Sequence, residues 1–355
     1  MKILAVDIGA GTRDILLFDS TRRLENCIKL VLPSPSPLYA ARVAEETARS
    51  RSLYLSGCVI GGGHLTKAVR RHLEAGLAVY AQREAAFCLR NNLEDVREMG
   101  VEVVEEPPAG FKGASLWLDE LDLQPLEELL LSVGESLKEV DAAGVAVQDH
   151  GTYERGRSNR KVRLENMRLA LLEDPRPSSL AFRDSTLPPG FPRMLSALKR
   201  LKQQLACERL VVMDTAPAAV MGCLADPLVK ERSPGNLLLV NAGNGHTLAC
   251  LLGDGRVLGV LEHHTARLEP ESFGSYLRSF CAGEASDDDE FMRDGHGLFY
   301  LEEPPGMEGI DLVAVTGPNR DMMRESGLDV YFPSPGGDMM MTGPLGLVRC
   351  ILDEE

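Results

Sequence analysis

The sequence predicts an α/β protein of two lobes, each built on a mixed sheet with flanking helices, with a ligand cleft between them. Two stretches, residues 3–32 and 237–261, have the pattern of a three-stranded meander. Between them, apolar runs alternate with stretches of helical spacing, which is typical of parallel strands joined by crossover helices. One glycine motif occurs in both meanders, and this internal repeat relates the two lobes to each other.

The composition is that of a globular protein with large apolar cores. The chain has 355 residues, of which 44% are apolar, and this length predicts two domains. Its 38 basic and 53 acidic side chains give a net charge of −15, which argues against general nucleic-acid binding. No apolar run approaches the length of a membrane span, so we expect no membrane insertion. Eight cysteines without a CxxC pair predict reduced thiols and a cytoplasmic location.

The first lobe is predicted to hold residues 1–226. Its strands are predicted at 3–6, 15–18, 27–32, 53–60, 101–104, 144–147 and 210–213, and a further short strand is predicted to end at Val79. Its helices are predicted at 38–50, 65–73, 92–99, 194–205 and 216–224. Apolar residues at helical spacing predict a further helix across 116–140. Residues 152–192 are rich in Arg, Pro and Ser, and we expect them to form a long irregular excursion.

The second lobe is predicted to hold residues 227–338. A connector that contains Pro and Gly, residues 227–235, marks the boundary between the lobes. The strands that follow are predicted at 237–240, 248–252 and 257–261. The sequence Gly253-Asp254-Gly255 joins the last two of them as a hairpin turn.

The glycine repeat consists of Val6–Arg13 and Val240–Thr247. Each copy follows an apolar strand, contains Gly-x-Gly and leads into a second apolar strand. Because glycine has no Cβ, the backbone N–H groups of such turns can approach an anion closely. Two turns that face each other would therefore hold the phosphates of one nucleotide from both sides. The expected nucleotide-binding residues in the two turns are Gly9, Gly11, Thr12, Asn241, Gly243, Asn244, Gly245, His246 and Thr247.

Three side chains of the repeat have expected roles of their own. Asp7 ends its strand and would help to hold a hydrated Mg²⁺ ion. The hydroxyl groups of Thr12 and Thr247 are potential donors to phosphate oxygens.

This pattern resembles the actin-like ATPase superfamily, which includes sugar kinases, actin and heat-shock chaperone ATPases. The resemblance implies a ribonuclease H-like fold with a nucleotide cleft between the lobes, and Mg²⁺ and ATP as ligands. The two turns would be the phosphate-1 and phosphate-2 hairpins of that fold. The turn of Gly317, Pro318 and Asn319 after a late strand would contact the adenosine.

Two helices of the superfamily also have counterparts in this sequence. The small-residue stretch 214–222 matches the helix that precedes phosphate 2, and residues 339–348 match the second connecting helix. The resemblance therefore assigns the C-terminal residues 339–355 to the first lobe. It also places the interlobe hinge near Pro227 and Gly336, with closure on nucleotide expected.

Within the superfamily, the chain looks like a prokaryotic family sometimes labelled pyruvate formate-lyase activating enzyme-like. That label implies radical chemistry on an iron–sulfur cluster, which needs closely spaced cysteine ligands. No CxxxCxxC motif occurs in this sequence, and no two cysteines lie within ten residues of each other. We therefore expect no iron–sulfur cluster.

The motifs depart from the superfamily pattern at two places. Phosphate 2 begins with Asn241, where the superfamily usually has an aspartate, and an amide brings no charge to a metal. The adenosine turn has Gly317-Pro318, where the superfamily usually has two glycines. Nucleotide binding stays the expectation, whereas efficient hydrolysis has less support.

Asp214 and Asp149 are the candidate catalytic residues. Sugar kinases of the superfamily have an acidic base toward the acceptor hydroxyl at the position of Asp214. The alternative is that Asp214 only caps the helix that follows it. Asp149 lies in Gln148–Gly151, which looks like the Gln-x-His-Gly near the substrate pocket of some sugar kinases. An ordinary loop explains those residues equally well.

Three further features are better explained by structure than by chemistry. Residues 61–64, Gly-Gly-Gly-His, favour a tight strand-to-helix turn over a phosphate site. Adjacent histidines in a strand point to opposite faces, so His263 and His264 are not expected to share a metal. The basic cluster within 155–163 favours a solvated loop over a site for an anionic substrate or partner. Its members are Arg155, Arg157, Arg160, Lys161 and Arg163.

Three functions remain open at this stage. The first is an enzyme that hydrolyses ATP or transfers its phosphoryl group to a small acceptor. The second is a nucleotide-switched regulator that acts on a protein partner, which Asn241 favours. The third is a methyltransferase, because the VDIGAGT sequence also resembles the first motif of class I methyltransferases, where the loop leads into a helix.

Overall fold

The computed structural model describes residues 1–154 and 159–353. In chain order the strands are β1 (Lys2–Ile8), β2 (Thr12–Asp19), β3 (Ile28–Pro33), β4 (Leu53–Gly57), β5 (Val79–Ala81), β6 (Val101–Val103), β7 (Ala114–Leu118), β8 (Ala142–Val147), β9 (Ala181–Phe182), β10 (Arg209–Met213), β11 (Asn236–Ala242), β12 (His246–Gly253), β13 (Arg256–His264), β14 (Gly297–Tyr300), β15 (Leu312–Thr316) and β16 (Val330–Tyr331).

The α-helices connect these strands and cover the sheets. In chain order they are α1 (Pro35–Ala48), α2 (Gly63–Glu74), α3 (Arg83–Ala86), α4 (Leu93–Glu98), α5 (Gln124–Ser132), α6 (Asn159–Glu173), α7 (Pro192–Gln204), α8 (Thr215–Cys223), α9 (Pro227–Arg232), α10 (Pro270–Cys281) and α11 (Thr342–Leu352).

Two six-stranded sheets share an arrangement of five strands and differ in the sixth, which is β9 beside β10 in one sheet and β14 beside β13 in the other. The first has the order β3-β2-β1-β8-β10-β9, and the second has the order β14-β13-β12-β11-β15-β16. In each, an antiparallel meander is followed by two strands parallel to its first strand, β8 and β10 in one sheet and β15 and β16 in the other. The predicted class, an α/β protein with two mixed sheets, is confirmed.

The chain between β3 and β8 of the first sheet forms a separate, smaller sheet. Its four strands have the order β6-β5-β4-β7 and are all parallel. Apolar residues of these strands pack with Tyr39 and Val43 of α1 and Leu65 and Val69 of α2. The alternating strands and helices predicted in this part of the sequence therefore form a separate layered unit with its own core.

Helices α8 and α11 cross each other between the two large sheets. Helix α11 packs on the first sheet, and α8 contacts the second sheet through β11 and β15. One continuous apolar core joins the two helices with the facing sides of both sheets. On the outer sides, α5 and α7 cover the first sheet and α10 covers the second. The two glycine hairpins are thus held at the ends of rigid, buried strands.

Three local predictions were wrong, and a fourth, the connector between the lobes, left out a short helix. The helix predicted across 116–140 is instead strand β7, a loop, helix α5 and a short 3₁₀ helix, because apolar side chains of several elements mimic helical spacing. The predicted excursion at 152–192 contains the fifteen-residue helix α6. The predicted connector at 227–235 contains helix α9, and the strand predicted at 53–60 ends at Gly57, whose φ is +99°.

In the described part of the chain, no helix combines the length and apolar character that a bilayer crossing requires.

Candidate functional site

A cleft of about 750 Å³ lies between the two large sheets. The predicted site residues that line it are Asp7, Gly9, Thr12, Asp149, Asn241, Gly243, Asn244, Gly245, His246, Gly317 and Pro318. Gly11, Asn319 and Thr247 lie next to these residues in the chain, and Asp214 directly precedes Thr215 of the wall, but none of these four forms part of the wall. The structure therefore brings most of the predicted site together in one place.

The two glycine hairpins have the same backbone geometry. Gly9 N–H donates to the Thr12 carbonyl at 2.9 Å, and Gly243 N–H donates to the His246 carbonyl at 3.0 Å. The hairpins also touch each other, because the Asn244 side chain lies where a Cβ on Gly11 would be. The internal repeat in the sequence is thus a structural repeat that meets across the cleft.

The first glycine turn connects two antiparallel strands, β1 and β2. The corresponding loop of class I methyltransferases leads into a helix, so the resemblance to their first motif does not extend beyond the loop.

The predicted adenosine turn is bonded to the second hairpin. Asn319 N–H donates to the Ala242 carbonyl at 3.0 Å, and its amide Nδ2 donates to the Gly243 carbonyl at 2.9 Å. Gly317 has a φ of +95°, and a side chain there would overlap the Ala242 carbonyl oxygen. Only glycine combines that backbone conformation with so close an approach.

Thr247 supports the second hairpin from behind. Its side chain is fully buried and its hydroxyl lies 3.0 Å from that of Thr265, which in turn donates to the Gly243 carbonyl. The sequence predicts a hydroxyl donor to phosphate here. The strand alternation instead turns His246 toward the cleft and Thr247 away from it.

Asp7 and Asp14 are cross-strand partners on β1 and β2. Burial, together with the charges of Asp14 and Asp214, raises the pKa of Asp7 well above its ordinary value. Burial likewise raises the pKa of Asp14 to about 7. The Oδ1 atom of each accepts no hydrogen bond from the described residues. A side chain at Gly343 of α11 would overlap the Asp7 carboxylate, so the helix leaves room for this group only because it has glycine there.

Replacing Asp14 with asparagine should stabilise the metal-free protein above pH 7 and change its stability little at pH 4. In the unfolded chain this carboxyl releases its proton near pH 3.9, whereas the pKa in the folded protein is about 7. Between these values the folded state binds more protons, so the free energy of unfolding falls as pH rises. The variant avoids that loss, which amounts to roughly 2–4 kcal/mol.

Urea unfolding in EDTA at pH 4, 6 and 8 measures this difference. Asp329→Asn, at an exposed position, controls for the change in surface charge. A difference between Asp14→Asn and the wild type that is constant across pH would contradict the prediction.

Arg163 of α6 connects Asp214 to Glu262 of β13 in a buried triad of charges. Its guanidinium donates to both Asp214 oxygens, at 3.1 Å from Nε and 2.7 Å from Nη2, and its Nη1 donates to Glu262. None of the three side chains is more than 8% exposed. Asp214 also accepts the N–H of Ala216 and is the N-cap of α8. The capping alternative is thus observed, and the role of base stays a prediction.

The described residues of the basic cluster, which was predicted to be a solvated loop, differ in their exposure to solvent. Arg163 is buried, contrary to that expectation, because its charge is matched by two carboxylates. Lys161 lies at the surface, with its Nζ 3.0 Å from a carboxylate oxygen of Asp287. Arg155, Arg157 and the side chain of Arg160 lie outside the described residues.

Asp149 holds the start of α7. It is buried after the end of β8 and accepts the N–H groups of Gly151 at 2.9 Å, Arg193 at 2.7 Å and Met194 at 3.0 Å. The last two belong to the first turn of α7, so the carboxylate caps that helix. Burial raises the pKa of Asp149, against the lowering effect of these N–H groups.

Three histidines meet at the end of the second sheet. His246 and His264 are cross-strand partners on β12 and β13, and His296 directly precedes β14. Their ring centroids are 4.3–5.0 Å apart. His263 points to the opposite face, where its Nε2 lies 3.0 Å from the Phe291 carbonyl oxygen. The predicted divergence of the adjacent histidines is confirmed, but His264 meets two histidines that are distant in sequence.

Two other histidine contacts define the surroundings of this cluster. Nε2 of Gln148, which directly follows β8, lies 2.8 Å from Nδ1 of His246. His150 lies nearby, with its ring centroid 5.9 Å from that of His296 and the two ring planes tilted by 39°. Burial lowers the pKa of His246 to about 2 and that of His150 to about 4. Both imidazoles are therefore neutral at physiological pH.

Basic side chains line another part of the cleft. Lys67 and Arg70 of α2 and Arg90 belong to its wall, as do residues 61–64 at the start of α2. Burial and the nearby charge of Arg70 lower the pKa of Arg90. The sequence predicts a tight turn at 61–64, and the structure shows that this turn is also part of the cleft.

Two sheets that share an arrangement of five strands, are joined by crossing helices and face each other across a cleft with a glycine hairpin from each have the architecture of the actin-like ATPase fold. Residues 60–322 match the family model described as "Putative pyruvate format-lyase activating enzyme (DUF1786)". This match covers more than half of the chain, and the chain belongs to that family.

Several solved structures are similar to this one. The inorganic polyphosphate/ATP-glucomannokinase from Arthrobacter sp. strain KM is 12% identical, with a TM-score of 0.38 over 100% of this chain and 99% of that one. The ADPNP-bound activator of 2-hydroxyisocaproyl-CoA dehydratase from Clostridium difficile is 10% identical, with a TM-score of 0.33 over 100% and 95%. A chain of the PilM–PilN type IV pilus biogenesis complex is 14% identical, with a TM-score of 0.37 over 99% of both chains. No curated protein sequence matches the chain.

Proposed function

We propose that this protein binds Mg²⁺–ATP in the cleft between its sheets and that the nucleotide sets the angle between its lobes. The observation that carries the proposal is the pair of matching glycine hairpins that meet at Gly11 and Asn244. Backbone N–H groups in such turns bind phosphate oxygens. Gly317 and Pro318, which line the cleft beside the second hairpin, provide a wall for the adenosine.

The carboxylates beside the first hairpin fit Mg²⁺. Asp14 is buried and Asp7 is half-buried, and each has an oxygen that accepts no hydrogen bond from the described residues. Carboxylate oxygens are the hard ligands that Mg²⁺ prefers. When bound, the ion neutralises charge on the nucleotide phosphates. Asp7 holds the hydrated ion in this proposal, and Asp14 supplies a second negative charge next to it.

The geometry favours a nucleotide-dependent switch with slow turnover. Both oxygens of Asp214, the predicted base, are occupied by Arg163, and Asp214 also caps α8. Asn241, which brings no charge, has the position in β11 that Asp7 has in β1. A switch of this kind acts on a protein partner through the relative orientation of the lobes. We place the lobes at 1–226 with 339–355 and at 227–338, in the cytoplasm.

A second candidate function is phosphoryl transfer to a small anionic acceptor. Lys67, Arg70 and Arg90 line the same cleft as the hairpins, in a protein whose net charge is −15. Clustered basic groups inside an acidic protein favour binding of an anion. An acceptor held there would share the cleft with the nucleotide.

The cysteines give no support to radical activation on an iron–sulfur cluster, which the family's description implies. Such clusters need cysteine ligands close together in space. Within residues 1–154 and 159–353, which include all eight cysteines, no three cysteines form a potential metal-binding group. The proposal therefore rests on nucleotide chemistry.

Thermal unfolding with ATP or ADP, in Mg²⁺ or in EDTA, tests nucleotide binding. A ligand at a hundred times its Kd adds about 2.7 kcal/mol if it binds only the folded state. We expect that stabilisation with Mg²⁺–ATP and a much smaller one in EDTA. Asp7→Asn removes the charge but keeps the shape of the side chain, so it should abolish the dependence on Mg²⁺.

The control variant is Asp329→Asn, which should behave as the wild type. No stabilisation by ATP or ADP would refute the proposal, and stabilisation by S-adenosylmethionine alone would support a methyltransferase instead. A burst of one turnover without acceptor dependence would support the switch. Rapid steady-state phosphorylation of an anionic metabolite, weakened in Arg70→Gln, would support the second candidate.

A further inference from the structure

We propose that His246, His264 and His296 together bind one first-row divalent transition-metal ion, with Zn²⁺ as the principal candidate. This site lies at the second hairpin and is distinct from the Mg²⁺ site proposed at Asp7. It does not depend on nucleotide binding.

Strand pairing brings the three side chains together. His246 opens β12 and His264 closes β13, and the two residues are paired in the antiparallel ladder. Directly opposed residues project from the same face of a sheet. On the next strand, Gly297 pairs with Glu262, and the N–H of His296 donates to the Glu262 carbonyl at 2.9 Å. His246 and His264 thus share one face, and His296, which directly precedes β14, lies beside them with its ring centroid 4.3 Å and 4.6 Å from theirs.

The distances suit a single metal ion. One ring nitrogen from each histidine lies within 4.8 Å of the other two. In a tetrahedral site with Zn–N bonds of about 2.1 Å, the nitrogen atoms are about 3.4 Å apart. The ring nitrogen atoms therefore have to approach one another by at most about 1.4 Å. Rotation about the side-chain χ angles can supply a movement of this size without displacing the strands. In the described residues this is the one group of three potential metal ligands that comes so close together.

Two of the rings have partners of the kind that orient metal-binding histidines. The Glu262 carboxylate lies 3.3 Å from Nδ1 of His296. Glu262 is itself fixed by Arg163. Nε2 of the Gln148 amide lies 2.8 Å from Nδ1 of His246. Metal binding through Nε2 of His246 requires the amide to turn over, so that its oxygen accepts an Nδ1–H. Such outer contacts are typical of metal-ligating histidines.

The site has room for a further ligand. His246 and His264 line the cleft, whereas His296 is buried behind them. Three protein ligands with a fourth position open to water or an anion are typical of zinc sites that bind or act on ligands. The metal would therefore present its open position to the same cleft as the second glycine hairpin.

Metal titration of the untagged, EDTA-treated full-length protein tests the proposal without nucleotide. We expect Zn²⁺ to bind with a stoichiometry of one and micromolar or tighter affinity in competition with a chromophoric chelator. Co²⁺ should give the intense visible absorption of a four-coordinate site. Excess Mg²⁺ should not displace Zn²⁺, because imidazole nitrogen is a poor ligand for Mg²⁺.

Single variants assign the ligands. His246→Gln and His264→Gln should each weaken Zn²⁺ binding by at least about 100-fold, since loss of an outer partner alone costs 10–100-fold. The control His64→Gln, also in the cleft wall, should bind as the wild type. Circular dichroism of the metal-free variants establishes that they are folded.

Two results would overturn the proposal. One is the absence of Zn²⁺ and Co²⁺ binding by the wild type, and the other is binding that His264→Gln leaves unchanged. Either result would make the three rings a packed cluster of neutral side chains. Stabilisation by Mg²⁺–ATP would be unaffected by such a failure, so the two sites are tested separately.

Discussion

Replacing Arg163 with methionine should lower the free energy of unfolding by about 3–5 kcal/mol. The substitution keeps much of the side-chain length but leaves Asp214 and Glu262 as uncompensated carboxylates in the interior. Arg163 is 2% exposed, and its two partners are 8% and 0% exposed. Burial of an unpaired charge is far less favourable than burial of a matched pair. Urea unfolding at pH 7, followed by circular dichroism, measures the loss.

Arg176→Met provides the matched control. Arg176 also donates to both oxygens of one aspartate, Asp174, but the two side chains are 70% and 35% exposed. Exposed ion pairs contribute about 1 kcal/mol or less. Comparable losses in the two variants would show that burial of the Arg163 triad has no special energetic effect.

The sequence predicts the sheets better than the segment that carries Arg163. Apolar meanders and the glycine repeat lead directly to the two sheets, since strands buried on both faces appear as continuous apolar runs. Helix α6 was missed because its inward stripe, Leu164, Met167 and Leu171, is shared with a buried arginine. A basic side chain normally indicates solvent, and only the distant carboxylates reverse that expectation.

The candidate site shows the same division between local and long-range information. Glycine spacing identifies both hairpins, because these depend on the backbone within a few residues, whereas the turn at Gly317 is expected from the resemblance to the actin-like ATPase superfamily. The pairing of His246 with His264 and His296 depends on strand register across fifty residues of sequence. Alternation along β13 separates His263 from His264, yet it does not reveal which side chains lie on the opposed strand.

Replacing Gly346 with alanine should destabilise the protein by about 1–3 kcal/mol. In an exposed helix the same change is favourable by about 1 kcal/mol, because alanine restricts the unfolded chain. Here a Cβ at Gly346 of α11 would overlap the carbonyl oxygen of Ala218 on α8. A Cβ at Gly222 of α8 would likewise overlap the carbonyl oxygen of Thr342, so the two helix backbones are in contact at both of these points. Packed backbone cannot move aside as a flexible side chain can.

Gly63→Ala separates this effect from helix propensity. Gly63 opens α2, and a Cβ there would meet no atom within 4 Å; the change should be neutral or stabilising by up to about 1 kcal/mol. Thermal unfolding of both variants gives the comparison. If Gly346→Ala were as stable as the wild type, α8 and α11 could move apart at little cost in free energy. Their contact would then not fix the position of one sheet relative to the other. A large loss would instead show that close backbone packing fixes the position of Asp7 and of both hairpins.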